Sequence, residues 1–448
     1  MERKRFLCLS TGILTTPLFS QAMRFIQDDR LKNWAGNFEF STSNVYYPKS
    51  TADASRLIKN KRSLRALGTR HCFNRVADSS ANLVCSSTMN RFISLDVKNR
   101  RVIVEGGIKY GELSPILDQK GYALHNLASL PHISVAGSIS TGTHGSGIHN
   151  GNLSTAVEAL ELIRADGSIR HISREKDGEG FLASVVGLGA LGWISNVELK
   201  VIPRFDMRQF VFENLAISRL GDDFDKIMAA GYSVSLFTDW NGPEINEVWI
   251  KSRLDEHPDY SKQPEFFGAS AAAKNMHPIA SLSAENCTPQ MGVPGPWYER
   301  LPHFKMGFTP SSGKELQSEY FVPHRHAVEA ILAMQRMGSK ISPLLQITEI
   351  RSIAADHLWL SPCFNRDSIT IHFTWKPEWD KVREILPIIE KELAPFHPRP
   401  HWGKLFTLSP QVLASRYEKM EDFKKMVTAE DPTGKFRNDF MNQYIFRT

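Results

Sequence analysis

A histidine and a cysteine stand side by side in the segment GTRHCFN, residues 68–74. Such a pair could be two metal ligands, a nucleophile with its base, or an imidazole that holds a cofactor. The five cysteines form no C-x-x-C and no short Cys/His spacing typical of zinc. We therefore expect no metal site, and we expect Cys72 to be a small buried apolar residue rather than a nucleophile.

The densest run of small residues is ASLPHISVAGSISTGTHGSG, residues 128–147. Small side chains let backbone N–H groups approach a ligand closely, and clusters of such groups bind phosphate. The run contains neither the G-K-[ST] of a Walker loop nor a G-x-G-x-x-G that opens a helix after a strand. We interpret it as a cradle for a pyrophosphate. The alternative is a flexible linker, which the apolar Leu130, Ile133 and Val135 disfavour.

Two later segments carry polar residues at every second position, as one face of a β-strand would. In LLQITEIRSI the shared face holds Leu345, Ile347, Glu349 and Arg351. In SITIHFTW one face holds Thr370, His372 and Thr374, and the opposite face holds Ile371, Phe373 and Trp375. Glu349 and Arg351 are thus either an ordinary ion pair along a strand or two groups that point into one cavity.

The elements that would position these residues follow from hydrophobic periodicity. From about residue 44 to 202, short apolar strands alternate with helical stretches, and VEALELIRADGSIRHIS predicts a hairpin around its Asp-Gly turn. From about 206 to 410 aromatic residues and prolines become denser. The segment NCTPQMGVPGPWYERLPHF predicts a long loop, of a length that compact domains keep for function.

The bulk composition indicates a globular protein of two domains, since 448 residues exceed what one core supports. The net charge is +6, but the basic residues are scattered, so we expect a soluble surface and no nucleic-acid partner. The first 22 residues have a basic start and an apolar run, which predicts an export signal; an N-terminal extension is the alternative. The protein would be periplasmic in the first case and cytoplasmic in the second. No stretch reaches the ~20 apolar residues of a membrane span. The sequence does not show the oligomeric state, and a monomer is compatible with it.

The order of these segments resembles a known family. GTRHCFN, residues 128–147, LELIRADGS and GLGALGWIS resemble the FAD-binding domain of the vanillyl-alcohol oxidase type, which the aldonolactone oxidases share. YSVSLFTDW, GVPGPWYERLPHF, LQSEY, EIRSIAAD, HFTW, PHWGK and DPTGKFRNDF resemble the alditol oxidases, including xylitol oxidase. The resemblance implies an α+β, two-domain flavoprotein: an FAD-binding domain (23–205), a substrate-binding cap domain with an antiparallel sheet (206–410), and a C-terminal segment that docks back on the FAD domain (411–448).

For the cofactor, the resemblance implies FAD bound covalently through His71, without a second tether from a cysteine. It also implies that the small Ala128 leaves space for dioxygen at the flavin, as in an oxidase. The other residues that it places at the cofactor are Gly68, Thr69, Arg70, Cys72, Ser129, Ser134, Gly137, Thr141, Gly142, Thr143, His144, Ile194 and Lys404.

For the substrate, the resemblance implies that Glu349 and Arg351 bind the terminal hydroxyls of a polyol and that Thr374 and His372 make further contacts. Ser129 would lie beside both flavin and substrate. Lys404 would stabilise the anionic reduced flavin, unless it is an ordinary surface lysine. The base that takes the hydroxyl proton is left open among His372, Glu349 and water.

The implied function is oxidation of a primary alcohol of a linear polyol, such as xylitol or sorbitol, to the aldose, with O2 reduced to H2O2. Three other functions stay open at this point. They are an aldonolactone oxidase or dehydrogenase, a non-catalytic flavin- or sugar-binding protein, and a metal-dependent hydrolase built on His71, His144 and His372.

Overall fold

The computed structural model describes residues 31–307 and 315–447, so the export signal predicted over residues 1–22 lies outside the described residues. Residues 31–203 form short strands with four α-helices. The strands are β1 (Val45–Tyr46), β2 (Arg65–Leu67), β3 (Leu83–Cys85), β4 (Phe92–Asp96), β5 (Arg101–Glu105), β6 (Tyr122–Ala123), β7 (Val157–Ile163), β8 (Ile169–Ser173), β9 (Trp193–Lys200) and β10 (Ile202–Pro203). The helices are α1 (Thr51–Asn60), α2 (Tyr110–Gln119), α3 (Val135–Ile139) and α4 (Arg174–Val185).

Two sheets organise this first part. A parallel three-stranded sheet has the order β1-β3-β2, and an antiparallel five-stranded sheet has the order β4-β5-β9-β7-β8. The predicted hairpin is confirmed as β7 paired antiparallel with β8. The loop after β2 carries Gly68 to Asn74, so the His-Cys pair emerges at the end of a strand.

The second part is dominated by one antiparallel sheet, as the resemblance implies for a cap domain. Its strands are β11 (Asp206–Ala216), β12 (Ser233–Thr238), β13 (Glu244–Arg253), β14 (Glu265–Phe266), β15 (Ala269–Ala271), β16 (Gly295–Pro296), β17 (Leu316–Pro323), β18 (Leu345–Ile353), β19 (Ser368–Trp375) and β20 (Arg399–Pro400). They form a ten-stranded sheet of order β14-β15-β11-β13-β12-β18-β19-β17-β20, with β16 paired to β11. The helices of this part are α5 (Leu220–Met228), α6 (Ala327–Arg336), α7 (Gly338–Ile341) and α8 (Trp379–Leu393).

One face of this sheet is apolar and packs against the helices. Ile350, Ile371 and Phe373 of the central strands share a core with Ile331 of α6 and Ile389 of α8. Each fully buried side chain of this kind contributes about 1.5–3 kcal/mol, so burial fixes which face the helices cover. The alternation predicted for residues 368–375 is confirmed, and the face that carries His372 and Thr374 is left for other contacts.

The face predicted for residues 345–351 is wrong at its first residue. Leu345 packs in the helix-covered core, whereas Ile347 lies with the polar face. The reason is a shift in the pairing of β18 with β19 between these two residues, where Leu345 pairs with Trp375 but Ile347 pairs with Thr374. An extra residue in one strand reverses the alternation, and a sequence pattern of period two does not show it.

The C-terminal helices α9 (Pro410–Ser415), α10 (Met420–Glu430) and α11 (Asp439–Met441) return to the first part of the chain. Phe423, Val427 and Met441 join the core that holds Val102 and Leu113. Cys72, Cys85, Cys287 and Cys363 are buried free thiols, as expected for small apolar residues. Within the described ranges, no helix is both long and apolar enough to cross a membrane.

Candidate active site

A cavity of about 530 Å³ lies between the glycine-rich loops of the first part and the polar face of the ten-stranded sheet. All six residues predicted to take part in catalysis line it, as do most of those predicted at the cofactor. The predicted lining residues are Gly68, Thr69, Arg70, His71, Cys72, Ala128, Ser129, Gly137, Thr141, Thr143, His144, Ile194, Glu349, Arg351, His372, Thr374 and Lys404.

Ser134 and Gly142 do not line the cavity and instead support the loops that do. A Cβ atom at Gly68 would lie 2.8 Å from Ser134 Oγ, so the serine lies directly behind the glycine. Gly142 has a left-handed φ of +69° and packs against Pro362. These positions demand small residues for reasons of backbone packing, and a sequence pattern does not separate that demand from ligand contact.

The loop after β2 offers backbone donors to an anion. Among the described residues, the N–H groups of Thr69, Arg70 and His71 have no hydrogen-bond partner. Arg70 has a left-handed φ of 64°, and successive N–H groups around such a residue converge on one point. Ser134 Oγ beside this loop is also buried without a partner in the described chain. These unpaired donors fit the pyrophosphate of a dinucleotide.

His71 is held in an apolar, aromatic setting. Its ring centroid lies 4.4 Å from that of Trp34 and 5.9 Å from that of Phe73. Burial, helped by the nearby charge of Lys404, lowers the pKa of His71 well below its usual range, so the imidazole is neutral. Burial also raises the pKa of the Cys72 thiol to about 12, which excludes Cys72 as a thiolate nucleophile at neutral pH.

The polar face of the sheet brings four strands into register at the cavity. Glu349 of β18 pairs with His372 of β19, which pairs with Glu319 of β17, and Phe237 of β12 flanks Glu349 on the other side. Directly paired residues point to the same face. The strand pairing therefore places two carboxylates and an imidazole in one row.

Arginine and histidine nitrogens surround the two buried carboxylates of this row. His303 Nε2 lies 2.7 Å from Glu349 Oε1, and Arg351 Nη2 lies 2.9 Å from Glu319 Oε1. Arg351 Nε lies 3.5 Å from Glu349 Oε1, and His144 Nε2 lies 3.1 Å from Glu319 Oε1. Both carboxylates are thus paired on two sides.

This pairing decides the ionisation of the two carboxyl groups. Burial favours the neutral acid, but Arg351 and His303 outweigh it and hold the pKa of Glu349 well below its usual range. Burial is opposed in the same way at Glu319, where His144 and Arg351 keep the pKa well below its usual range. Both side chains are therefore carboxylates that accept hydrogen bonds at neutral pH.

Lys404 and His372 share one partner. Lys404 Nζ donates to Gln317 Oε1, and His372 Nε2 lies 3.2 Å from the same oxygen. Burial lowers the pKa of Lys404 to about 8 and that of His372 to about 3. At neutral pH, Lys404 is thus an ammonium inside the cavity and not a surface lysine, and His372 is a neutral imidazole.

Several residues that line the cavity were not predicted from the sequence, and some of them carry polar or aromatic groups. They include Trp34, His303, Gln317, Glu319 and His401. Gln317 and Glu319 could have been found, because LQSEY has the same alternation as the neighbouring strands. His303 lies in the long loop for which a function was expected, but its meeting with Glu349 depends on tertiary structure.

The cavity carries no sign of a metal centre within residues 31–307 and 315–447, where no cluster of three His, Cys, Asp or Glu side chains could hold an ion. What the structure does define is a flavoenzyme architecture: a loop-built dinucleotide site that faces the polar side of an antiparallel sheet. Comparisons with known proteins agree with this class.

Two family models match the chain. An FAD binding domain matches residues 42–173, and a D-arabinono-1,4-lactone oxidase model matches residues 309–444. Among solved structures, cholesterol oxidase from B. sterolicum superposes with a TM-score of 0.76 over 97% of this chain and 100% of that chain. At 14% identity this likeness shows the two-domain fold alone.

Among curated proteins, an alditol oxidase of Streptomyces sp. is 42% identical over 417 residues, which are 92% of this chain and 98% of that protein. The L-gulonolactone oxidase of Mus musculus is 24% identical over 441 residues, 93% of this chain and 98% of the mouse protein. The chain therefore belongs to the alditol oxidase group of the vanillyl-alcohol oxidase-type FAD-dependent oxidoreductases.

Replacing Gly137 tests the dinucleotide site. In Gly137→Val, the Cβ would lie 3.0 Å from Ser134 Oγ and the methyl groups would extend into the cavity. We expect the flavin bound per chain, measured by visible absorbance, to fall at least about tenfold. Gly180→Val is the matched control, because the atom nearest to its Cβ would be 3.9 Å away. Equal flavin content in the two variants, with equal melting temperatures, would contradict this placement.

Proposed function

We propose that the chain oxidises a primary alcohol of a linear polyol, such as xylitol or sorbitol, to the aldose and reduces O2 to H2O2. The observation that carries this proposal is the ion-paired group of Glu349, Arg351 and Glu319 at the cavity that faces the dinucleotide site. The 42% identity to an alditol oxidase over most of both chains supports it.

The charges of the cavity favour a neutral, hydroxyl-rich substrate. A hydroxyl group both donates and accepts, so it can donate to the Glu349 carboxylate while it accepts from Arg351. Arg351 lines the cavity, so its guanidinium can donate to a substrate oxygen. A substrate carboxylate would be repelled by Glu349 and Glu319, since both are ionised.

When bound, FAD would supply the redox chemistry, a two-electron oxidation of the carbinol with O2 as the final electron acceptor. The chain supports this in two ways. Lys404 contributes an ammonium at the cavity wall, where it stabilises negative charge on the reduced cofactor. Ala128 lines the same cavity with a single methyl group and thereby leaves room for O2.

We assign acceptance of the hydroxyl proton to His372. Burial lowers the pKa of His372 to about 3, but Arg351 and His303 hold the pKa of Glu349 lower still, so His372 is the stronger base of the two. His372 is neutral, and its Nε2 faces Gln317 Oε1, so the tautomer that donates there leaves Nδ1 as an acceptor. Burial lowers the pKa of His372, and the Glu319 and Glu349 carboxylates oppose this effect, so they would stabilise an imidazolium formed there.

The covalent bond between His71 and FAD is also part of the proposal. A neutral imidazole carries the lone pair that a nucleophile needs, and burial keeps His71 neutral. Trp34 and Phe73 restrict the ring between them. A histidyl bond would keep the cofactor from dissociating.

A second candidate function is oxidation of an aldonolactone, because a D-arabinono-1,4-lactone oxidase model matches residues 309–444.

We also propose the domain boundaries 23–205 for the FAD-binding domain, 206–410 for the cap domain and 411–448 for the C-terminal segment. They are supported by the small sheets, which use strands up to Pro203, and by the ten-stranded sheet, which begins at Asp206.

Acid denaturation tests the histidyl bond. We expect yellow colour to stay with the precipitated wild-type chain and to be lost from it in His71→Ala, because the imidazole is the attachment point. His277→Ala is the control, since His277 lines the same cavity and should leave the colour on the chain. Colour that washes out of the wild type would disprove the covalent bond.

Oxygen uptake tests the substrate class. We expect consumption with xylitol and sorbitol, with one H2O2 formed per O2, and much weaker consumption with aldonolactones. Arg351→Met should lower kcat/KM for the polyol by roughly 100-fold, about 3 kcal/mol, because it removes a charged donor and leaves Glu319 without that partner. Arg208→Met, in which an arginine salt-bridged to Asp259 outside the cavity is lost, is the control. Faster turnover of lactones than of polyols would favour the second candidate function.

The proton acceptor is tested with His372→Asn. We expect kcat to fall by roughly 10²–10⁴-fold with flavin content unchanged, because general base catalysis is lost. If the remaining rate of the variant depends on pH or on the solvent, water accepts the proton in place of His372. If His372→Asn keeps more than half of the wild-type kcat, another group takes the proton.

A further inference from the structure

Lys251 is a buried lysine that the proposed mechanism does not use. It lies on β13, is 1% exposed and does not line the cavity. Its Nζ donates to the carbonyl oxygens of Leu301 at 2.5 Å and Pro302 at 3.2 Å, and to His303 Nδ1 at 3.0 Å. Three donors thus meet three acceptors, and the third acceptor is a ring nitrogen of the histidine that contacts Glu349.

The contact with Lys251 selects one tautomer of His303. Burial lowers the pKa of Lys251 to about 7. The Glu349 carboxylate requires a donor at His303 Nε2, which leaves Nδ1 of the neutral ring as an acceptor, and the ammonium form of Lys251 matches it because an ammonium has only donors. Burial, with the charge of Lys251, lowers the pKa of His303 to about 4, so the ring is neutral at neutral pH. The Nε2–H then donates to Glu349 Oε1, 2.7 Å away.

The ring of His303 is also fixed in orientation. Its centroid lies 5.5 Å from that of Phe237 and 5.2 Å from that of Trp249, with near-perpendicular planes. Its backbone N–H donates to Ser129 O at 3.1 Å, which ties the loop to the cofactor side of the cavity. The ring can therefore respond to a lost partner by changing tautomer more readily than by turning.

We propose that Lys251 and His303 are positioning residues for the Glu349 carboxylate, with Lys251 fixing the His303 tautomer whose Nε2–H holds Glu349 in the cavity wall. Without Lys251, the tautomer protonated at Nδ1 becomes accessible, and its Nε2 lone pair would face the carboxylate. Glu349 would then lose a donor and its fixed direction. This inference rests on the proposed function, since it names what orients the substrate-binding carboxylate.

The test is a double-mutant cycle on kcat/KM for xylitol, with flavin content and melting temperature measured for every variant. Lys251→Met should lower kcat/KM by roughly 10- to 100-fold, mainly through a higher KM, because Glu349 binds the substrate. His303→Gln keeps an N–H donor toward Glu349 that has no tautomer to select. In that background, we expect Lys251→Met to cost less than about threefold.

Lys435→Met is the matched control for loss of a buried ammonium. Lys435 Nζ donates to the carbonyls of Ile58, Lys59 and Ala165, on the far side of the first part of the chain. We expect it to lower the melting temperature and to leave kcat/KM unchanged. If Lys251→Met does not fold, the same cycle is run with Lys251→Gln. Its amide can either donate to or accept from His303 Nδ1 and therefore no longer selects one tautomer, so the loss should again shrink in the His303→Gln background.

The inference would be overturned if the Lys251 substitution lowered kcat/KM equally in the wild-type and His303→Gln backgrounds, because Lys251 would then not act through His303. It would also be overturned if kcat/KM did not fall at all. If the wild-type enzyme oxidises polyols but the cycle shows no coupling between Lys251 and His303, the proposed function stands and only the positioning role of these two residues is disproved. Wild-type enzyme that oxidises no polyol would overturn the proposed function, and this inference with it.

Discussion

Mutual compensation of buried charges is the constraint on which the site depends. Glu349, Glu319 and Arg351 are each less than a tenth exposed, and a lone ion in such a setting would cost several kcal/mol. They are tolerated because each carboxylate contacts the Arg351 guanidinium on one side and a histidine nitrogen on the other. The same pairing keeps both carboxylates ionised, and ionised carboxylates bind hydroxyl groups strongly.

The antiparallel sheet makes this compensation possible. Strands β17, β18 and β19 lie side by side, so Glu319, His372 and Glu349 share one row without any long side-chain reach. The helix-covered face holds the same strands rigidly, because Ile350, Ile371 and Phe373 are completely buried. Rigid strands orient charged groups more exactly than loops do, which suits a site that has to bind several hydroxyls in fixed directions.

The cofactor side is built on a different principle. Loops with small residues leave backbone N–H groups of Thr69, Arg70 and His71 without partners in the described chain, and they leave the neutral ring of His71 between two aromatic rings. The two halves meet at Ser129, whose hydroxyl accepts from Arg351 and whose carbonyl accepts from the His303 backbone. Ser129 thus links the loop of small residues to the ion-paired group that contains Arg351 and Glu349.

The sequence by itself determined much of this protein. The order of its motifs indicated the flavoprotein fold, the FAD site and the Glu349, Arg351, His372 and Thr374 faces, because alternation along a strand and small residues in loops are local properties. Only the tertiary structure decided what depends on distant contacts. Three features are of this kind: the bulge that moves Leu345 to the other face, the ionisation of Glu349, and the contacts from Lys251 through His303 to Glu349. They depend on residues up to about a hundred positions apart, and no local pattern shows which buried groups will meet.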